Sequence, residues 1–315
     1  MKEYKNLKDL KQNNVLVSIF IDSLEKSEML EETFYSISKQ TFPVDFLVFH
    51  DLNKEDETKL EKMLKSPKII LHQNKEGKLT EEVQESDGKI NYVLYKHPMS
   101  KFSNLFNETF NVALNNDYEF MSIVEKYDII GLNWFKLANE YQKENEDTGI
   151  FFPLIRNTIN GVFNGLMNEA PWAEGLVEEA GKVDLGLLNR FNCMLPIGAV
   201  YRISAILEYS EQKEKYYYPF KESFEISHYY EFFLRMIYED VESISIPRIN
   251  YEIRVEGQPK KYNRVSCKIP PNLSVIPTEN GGYTQQEIQF WLELAKKEYF
   301  YQTDRNETFQ KTDKK

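Results

Sequence analysis

Cysteine is almost absent from this chain: Cys193 and Cys267 are the only two in 315 residues. Two thiols cannot build a disulfide framework, so the expected setting is reducing and intracellular, with both thiols buried or idle. Histidine is also scarce, with four, and His72 and His97 have no companions at ligand spacing, which argues against a zinc site. There is no block of lysine or arginine and the net charge is −11, so neither nucleic acid nor an anionic membrane is an expected partner. Apolar runs such as 15–21 fall far short of a membrane span, and the polar start MKEYKNLKDLKQNN has no signal-peptide core. The expected location is therefore cytoplasmic, or inside a virus particle. A Gly-rich phosphate loop, a Gly-x-Ser-x-Gly elbow and an internal repeat are also missing.

What the chain has in quantity is aromatic and apolar side chains: 14% aromatic and 41% hydrophobic, with 20 Tyr and 21 Phe. That composition excludes general disorder and is enough for a large core. Residues 1–14 read as a polar lead-in and 15–254 as one α/β domain. VLVSIFI (15–21) is a buried strand, the segment from Ser27 a helix with Met29, Leu30, Phe34 and Ile37 at helical spacing, and VDFLVFH (44–50) a second strand. Strand, helix, strand at this spacing is a βαβ unit with a parallel sheet. A helix at 55–64, a strand at 68–71, a loop at 74–87, a strand at 91–95 and a helix at 104–114 follow.

The stretch that organises the rest is 117–130, DYEFMSIVEKYDII. Its apolar run reads as a strand buried on both faces, so Glu125 and Asp128 emerge at its C-terminal tip, where open α/β sheets bind ligands. Closely spaced carboxylates there suit a divalent metal bridging a diphosphate. Here the cluster is Glu-Lys-Tyr-Asp, one carboxylate short and with a lysine inserted. Downstream, 157–186 carries five glycines and reads as a long loop excursion. A strand at 194–201, a helix at 226–238, and strands at 241–246 and 249–253 broken at Pro247 complete the domain. Residues 255–315 form a C-terminal arm, an amphipathic helix over 285–301 with Ile288, Trp291, Leu292 and Ala295 on one face, and a polar tail.

In this order, several phrases resemble the GT-A-type glycosyltransferases of the family-2 kind, which transfer a sugar from a nucleotide diphosphate. VLVSIFIDS with LEETFYSISKQTFP is similar to that family's first strand and helix, and LVFHD to its second strand, with His50 and Asp51 where a nucleoside-contacting Asp-Asp is usual. SNLFNETFNVAL is similar to its Ser-x-Ala-Arg-Asn-x-Gly helix start, keeping Asn107 but with Phe106 for the arginine and Thr109 for the glycine. FMSIVEKYDII stands at the metal motif, and FKESFEISHYYEFFLRMIYED at the helix bearing the Glu-Asp catalytic pair, replaced here by His228 and Tyr229.

The resemblance, over about 15–254, implies a mostly parallel central sheet flanked by helices, with a C-terminal helical extension. It implies Asp51 and Asn107 as vestigial nucleotide-sugar contacts, Glu125 and Asp128 as metal ligands, and His228 as a base, since tyrosine titrates too high for that role. Each has a plainer reading: a solvated turn for Glu125 and Asp128, a surface or helix-capping histidine for His228, and a helix cap for Asp51. Loss of charge at two separate catalytic positions points to a fold that has lost catalysis and serves as a binding or structural subunit among other proteins, with no cofactor. The alternative is an active soluble transferase using Mn²⁺ or Mg²⁺. A nucleotide-sugar or glycan is the ligand either way.

Overall fold

Seven consecutive buried residues, VLVSIFI, form β1 (Val15–Ile21), an interior strand of the main sheet in the computed structural model. The residues described are 12–75, 78–86, 89–172, 179–190, 194–221, 223–224, 228–256 and 285–299. After β1 come α1 (Ser27–Ser38), β2 (Asp45–His50), α2 (Lys54–Lys65), β3 (Lys68–Lys75), β4 (Lys78–Glu85), β5 (Asn91–Lys96) and α3 (Phe102–Asn115). Next are β6 (Phe120–Ile123), β7 (Ile129–Ile130), α4 (Trp134–Glu144), β8 (Thr148–Ile159), β9 (Val162–Met167), β10 (Gly181–Lys182) and α5 (Leu185–Arg190). The remainder are β11 (Val200–Arg202), α6 (Ile203–Leu207), β12 (Glu211–Lys213), β13 (Tyr216–Tyr218), α7 (His228–Tyr238), β14 (Glu242–Val255) and α8 (Gln285–Tyr299).

The main sheet runs β10-β14-β8-β11-β6-β1-β2-β5. β5, β2, β1 and β6 are parallel, as the βαβ pattern predicts. The sheet as a whole is mixed, not mostly parallel: β11 enters antiparallel between β6 and β8, and β7, β9 and β10 are antiparallel to their neighbours. Because β11 opposes both neighbours, β8 and β14 run in the same direction as β1, so all the long strands send their C-terminal ends to one edge.

Three local expectations change. The expected loop at 74–87 is largely β4, paired antiparallel with β3 from Lys68↔Glu85 to Lys75↔Lys78; its charged residues hide the strand pattern. The 157–186 excursion is not one loop, since β8 continues to Ile159 and folds back as β9. The signal was the Asn160-Gly161 pair, whose φ values of 51° and 75° suit a tight hairpin turn. The expected break at Pro247 is a register shift within a continuous β14, a position where proline does no harm because the ladder is already interrupted. In α8, Leu292 and Ala295 are buried as expected; the side chains of Ile288 and Trp291, and the tail beyond 299, lie outside the described residues.

At the opposite edge, Asp45 fixes the entry of the chain into the sheet. Its buried carboxylate accepts from the Gln12 N–H at 2.9 Å, the Asn13 N–H at 3.1 Å, Asn13 Nδ2 at 2.7 Å, Asn91 Nδ2 at 2.8 Å and the Tyr118 hydroxyl at 2.9 Å. Burial, and then the neighbouring Asp45 charge, push the Tyr118 phenol far above its ordinary value. Removing the carboxylate leaves the buried Tyr118 hydroxyl and several part-buried donors without their acceptor at once. Asp45→Ala is expected to lower the unfolding free energy by about 3 kcal/mol in urea denaturation, with Asp45→Asn no better, because it puts a donor where donors already converge.

Candidate functional site

The C-terminal ends of β1 and β2 part to leave a cavity of about 590 Å³. One wall is Asp22 to Glu25 with Ser27; the other is Asp51 to Asn53 with Asp56, Lys59 and Met63. The split arises because β1 leads into α1 and β2 into α2, and both helices begin at this edge. Asp51 lines the cavity and does not cap α2. That role belongs to Asn53, whose Oδ1 accepts from the Asp56 N–H at 2.9 Å. Hydrogen bonds from Lys59 and then Asn53 hold the Asp56 carboxyl below its usual range. His50, just before Asp51, turns inward, and burial lowers its imidazole pKa.

The Glu125–Asp128 turn does not open into this cavity in the way a metal motif does. Asp128 is wholly buried, and its Oδ2 accepts from the Tyr251 hydroxyl at 2.9 Å and its Oδ1 from the Arg254 N–H at 3.2 Å. The same Tyr251 oxygen accepts from the Glu125 N–H at 3.1 Å, and Glu125 itself is only 7% exposed. Tyr127 sits at φ 75°, and its carbonyl accepts from Arg254 Nε at 2.5 Å. The Arg254 guanidinium also binds the Met29 carbonyl at 2.9 Å and the Glu32 carboxylate, tying the turn to α1. The side chain that does reach the cavity wall is Lys126, whose ammonium pairs with Asp22. Among the described residues, no three His, Cys, Asp or Glu side chains come together as a metal ion requires.

The other candidates lie in the core. Asn107 on α3 spends its amide on one residue: Nδ2 donates to the Phe220 carbonyl and Oδ1 accepts from the Phe220 N–H, both at 2.9 Å. One turn later Asn111 does the same for Tyr217, at 2.7 and 2.9 Å, so the two amides hold the β13 segment as a neighbouring strand would. Phe106, at the place of the resemblance's arginine, stacks on Phe220 with centroids 3.9 Å apart and meets Tyr201 edge-on at 4.9 Å. His228 opens α7 against that cluster, 5.4 Å from the Phe220 ring and stacked on Phe102 at 6.1 Å. It is neither a surface histidine nor one facing the β1–β2 cavity.

Sequence reasoning missed Glu231 on α7. This fully buried carboxylate accepts from Arg235 Nε and Lys221 Nζ, each at 3.0 Å, and from the Tyr299 hydroxyl of α8 at 2.6 Å. Burial pushes its pKa up, but Arg235 and Lys221 outweigh burial and bring it below the ordinary value. The readable signal was the four-residue spacing of Glu231 and Arg235. Sequence reasoning also missed Arg254, more than 120 residues from the turn that it holds.

The fold has a measurable pH signature, to which the Tyr251 of this edge contributes. Burial, and then the Asp128 and Glu125 charges, raise the Tyr251 phenol well above its ordinary value, and Tyr118 is raised likewise. In the unfolded chain both ionise near pH 10, while in the fold both stay protonated. Their contribution is therefore complete below pH 10 and is lost as the pH rises above it, by about 1.4 kcal/mol per pH unit for each group. Urea denaturation between pH 9 and 11 should show this slope. Tyr251→Phe should reduce it by one group and lower stability at pH 7 by about 2 kcal/mol, because Asp128 loses a donor.

No protein-family model and no curated protein matches this sequence. Solved structures do. The crystal structure of S. aureus TarS superposes with a TM-score of 0.51 and 17% identity over 78% of this chain and 37% of that one. For TarS 1–349 in complex with UDP the values are 0.50 and 15%, over 94% and 75%; for TarS 1–349 alone they are 0.51 and 15%, over 92% and 73%. The chain thus spans little more than a third of the first of these. At such identities the likeness establishes the architecture alone: this chain has a mixed α/β, GT-A-like fold.

Proposed function

We propose that this protein is a glycosyltransferase-like binding subunit of a larger assembly in which metal-dependent sugar transfer has been lost. One observation carries the reading. In the turn that should hold the metal, Asp128 is buried and engaged by Tyr251 and Arg254, and the outward side chain is a lysine already paired with Asp22. A metal ion needs carboxylate oxygens that are accessible and uncommitted; withdrawing Asp128 would leave the buried Tyr251 hydroxyl and the part-buried Arg254 N–H without this acceptor. Neither of two candidate bases among the described residues is placed to serve there. His228 lies among aromatic rings, and the carboxylate of Glu231 is already held by Arg235, Lys221 and Tyr299. Support for a binding role comes from the β8–β9 hairpin, which extends past the end of β11 and exposes Val162 (68%) and Phe163 (55%).

One observation favours the second reading, an active transferase: the cavity at the ends of β1 and β2 persists, with Asp22 and Asp51 on its walls. The two readings separate in solution. Incubation with UDP- and GDP-sugars and Mn²⁺ or Mg²⁺ is expected to give neither transfer nor nucleotide release above the metal-free control, and Glu125→Ala and Asp128→Ala should leave that result unchanged. Metal-dependent turnover abolished by either variant would restore the enzyme.

A further inference from the structure

We infer that the β8–β9 hairpin is the contact through which two copies of this chain associate, with β9 pairing antiparallel to β9 of the second copy about a two-fold axis. The inference rests on the part of the proposed function that makes this hairpin a binding surface, and it names the partner. Among the described residues β9 pairs with β8 alone, so its other edge offers backbone N–H and C=O groups to a further strand. Residues 159–164 at the tip are all exposed, Val162 by 68% and Phe163 by 55%. Val162 lies opposite Ile159 on one face and Phe163 opposite Thr158 on the other, so the tip is apolar on both faces. A flat partner surface covers one face only, whereas the side chains of a paired strand flank both. Edge strands are usually guarded by charges, proline or a bulge. β9 has only the bulge, at Asn164, which the β8 register skips and which follows the two apolar residues.

The chemistry of the hairpin selects a second copy as that strand. Residues 157–168, NTINGVFNGLMN, contain no Asp, Glu, Lys or Arg, in a chain that is 28% charged with a net charge of −11. In a two-fold contact each group near the axis meets its own symmetry mate, so a charge there repels itself while apolar groups and amides are self-complementary. The Asn164 amide carries both donors and an acceptor and can bond to the same amide of the partner. Two other exposed apolar side chains adjoin charges in sequence, Val83 beside Glu82 and Ile249 beside Arg248. Two acidic molecules therefore approach with least repulsion through the uncharged segment, and a strongly charged partner would gain no ion pair from it. A hairpin-sized contact is smaller than a standard interface, so the dimer is weak, dissociating in the micromolar range or above.

Sedimentation equilibrium of the full chain, from low to high micromolar concentration, tests this. The parent is expected to pass from monomer to dimer, and Val162→Lys and Phe163→Lys should each weaken dimerisation at least about tenfold. Both side chains are exposed, so thermal melts of the variants should match the parent. Phe163→Glu should also stay monomeric alone, but an equimolar mixture of Phe163→Lys and Phe163→Glu should dimerise again, because only in a hairpin-to-hairpin contact do the new charges meet. A dimer indifferent to both lysine variants, or a mixture that stays monomeric, would overturn the inference. So would a parent that is monomeric at every concentration, which would leave the hairpin to a strand of another protein. Each of these failures would leave the loss of sugar transfer standing, whereas metal-dependent turnover would overturn that loss and leave the dimer standing.

Discussion

A carboxylate without water must be given donors, and the burial of Asp128 sets the geometry of the functional edge. Its two oxygens draw in the Tyr251 hydroxyl and the Arg254 N–H, fixing the end of β14 beside the β6–β7 turn. Packing around Tyr251 follows from this. Gly198 lies so close that a Cβ there would fall 2.3 Å from the tyrosine ring, and its φ of 69° is already in the region glycine prefers. The Gly198 carbonyl in turn accepts from the Trp134 indole at 2.7 Å, and its N–H reaches the Ile123 carbonyl at 2.8 Å. The buried charge thus sits in a set of contacts that joins β6, β14, α4 and the loop before β11, and a return of Asp128 to the surface would take its acceptor from the Tyr251 hydroxyl and the Arg254 N–H.

The two departures on α3 and α7 have a common physical basis. Phe106 and His228 are more than 120 residues apart in sequence, yet both pack on Phe220. A guanidinium at position 106 would be placed inside an aromatic cluster with Tyr201 and Phe232 and would have to be paired or hydrated there. With phenylalanine the cluster closes, and Asn107, on the next residue of α3, is free to clamp the Phe220 backbone. The two positions at which the sequence departs from the resemblance therefore meet in one cluster around Phe220. The result is a well-packed aromatic interior around Phe220.

Local pattern made much of this legible. VLVSIFI and DFLVFH announced their strands by unbroken apolar runs, and α2, α3 and α8 announced theirs by period and punctuation. What stayed hidden depended on partners distant in sequence. Nothing in VYR, residues 200–202, says that it will run antiparallel between β6 and β8, and β4, with charged side chains on a small hairpin apart from the main sheet, lacks the apolar signal altogether. At the site, Asp51 was legible because a strand end points its last residues at the ligand edge. Asp128 was legible in position but not in direction, since whether a carboxylate turns in or out depends on Tyr251 and Arg254, which spacing cannot reveal.

The direction of those side chains decides the sign of the field at this edge. In a metal-binding turn the carboxylates face outward and the positive charge arrives with the ion. Here Asp128 faces inward and the positive charge is covalently part of the turn, as Lys126 beside Asp22. The exchange is not electrostatically equivalent: an ammonium brings one charge and three hydrogen-bond donors, whereas a divalent ion brings two charges and open coordination positions for anionic oxygens. An ammonium can hold a phosphate, but it polarises a leaving diphosphate less than a bound divalent cation does. An open cavity and a turn whose buried carboxylate is committed to Tyr251 and Arg254 are therefore compatible features of one edge.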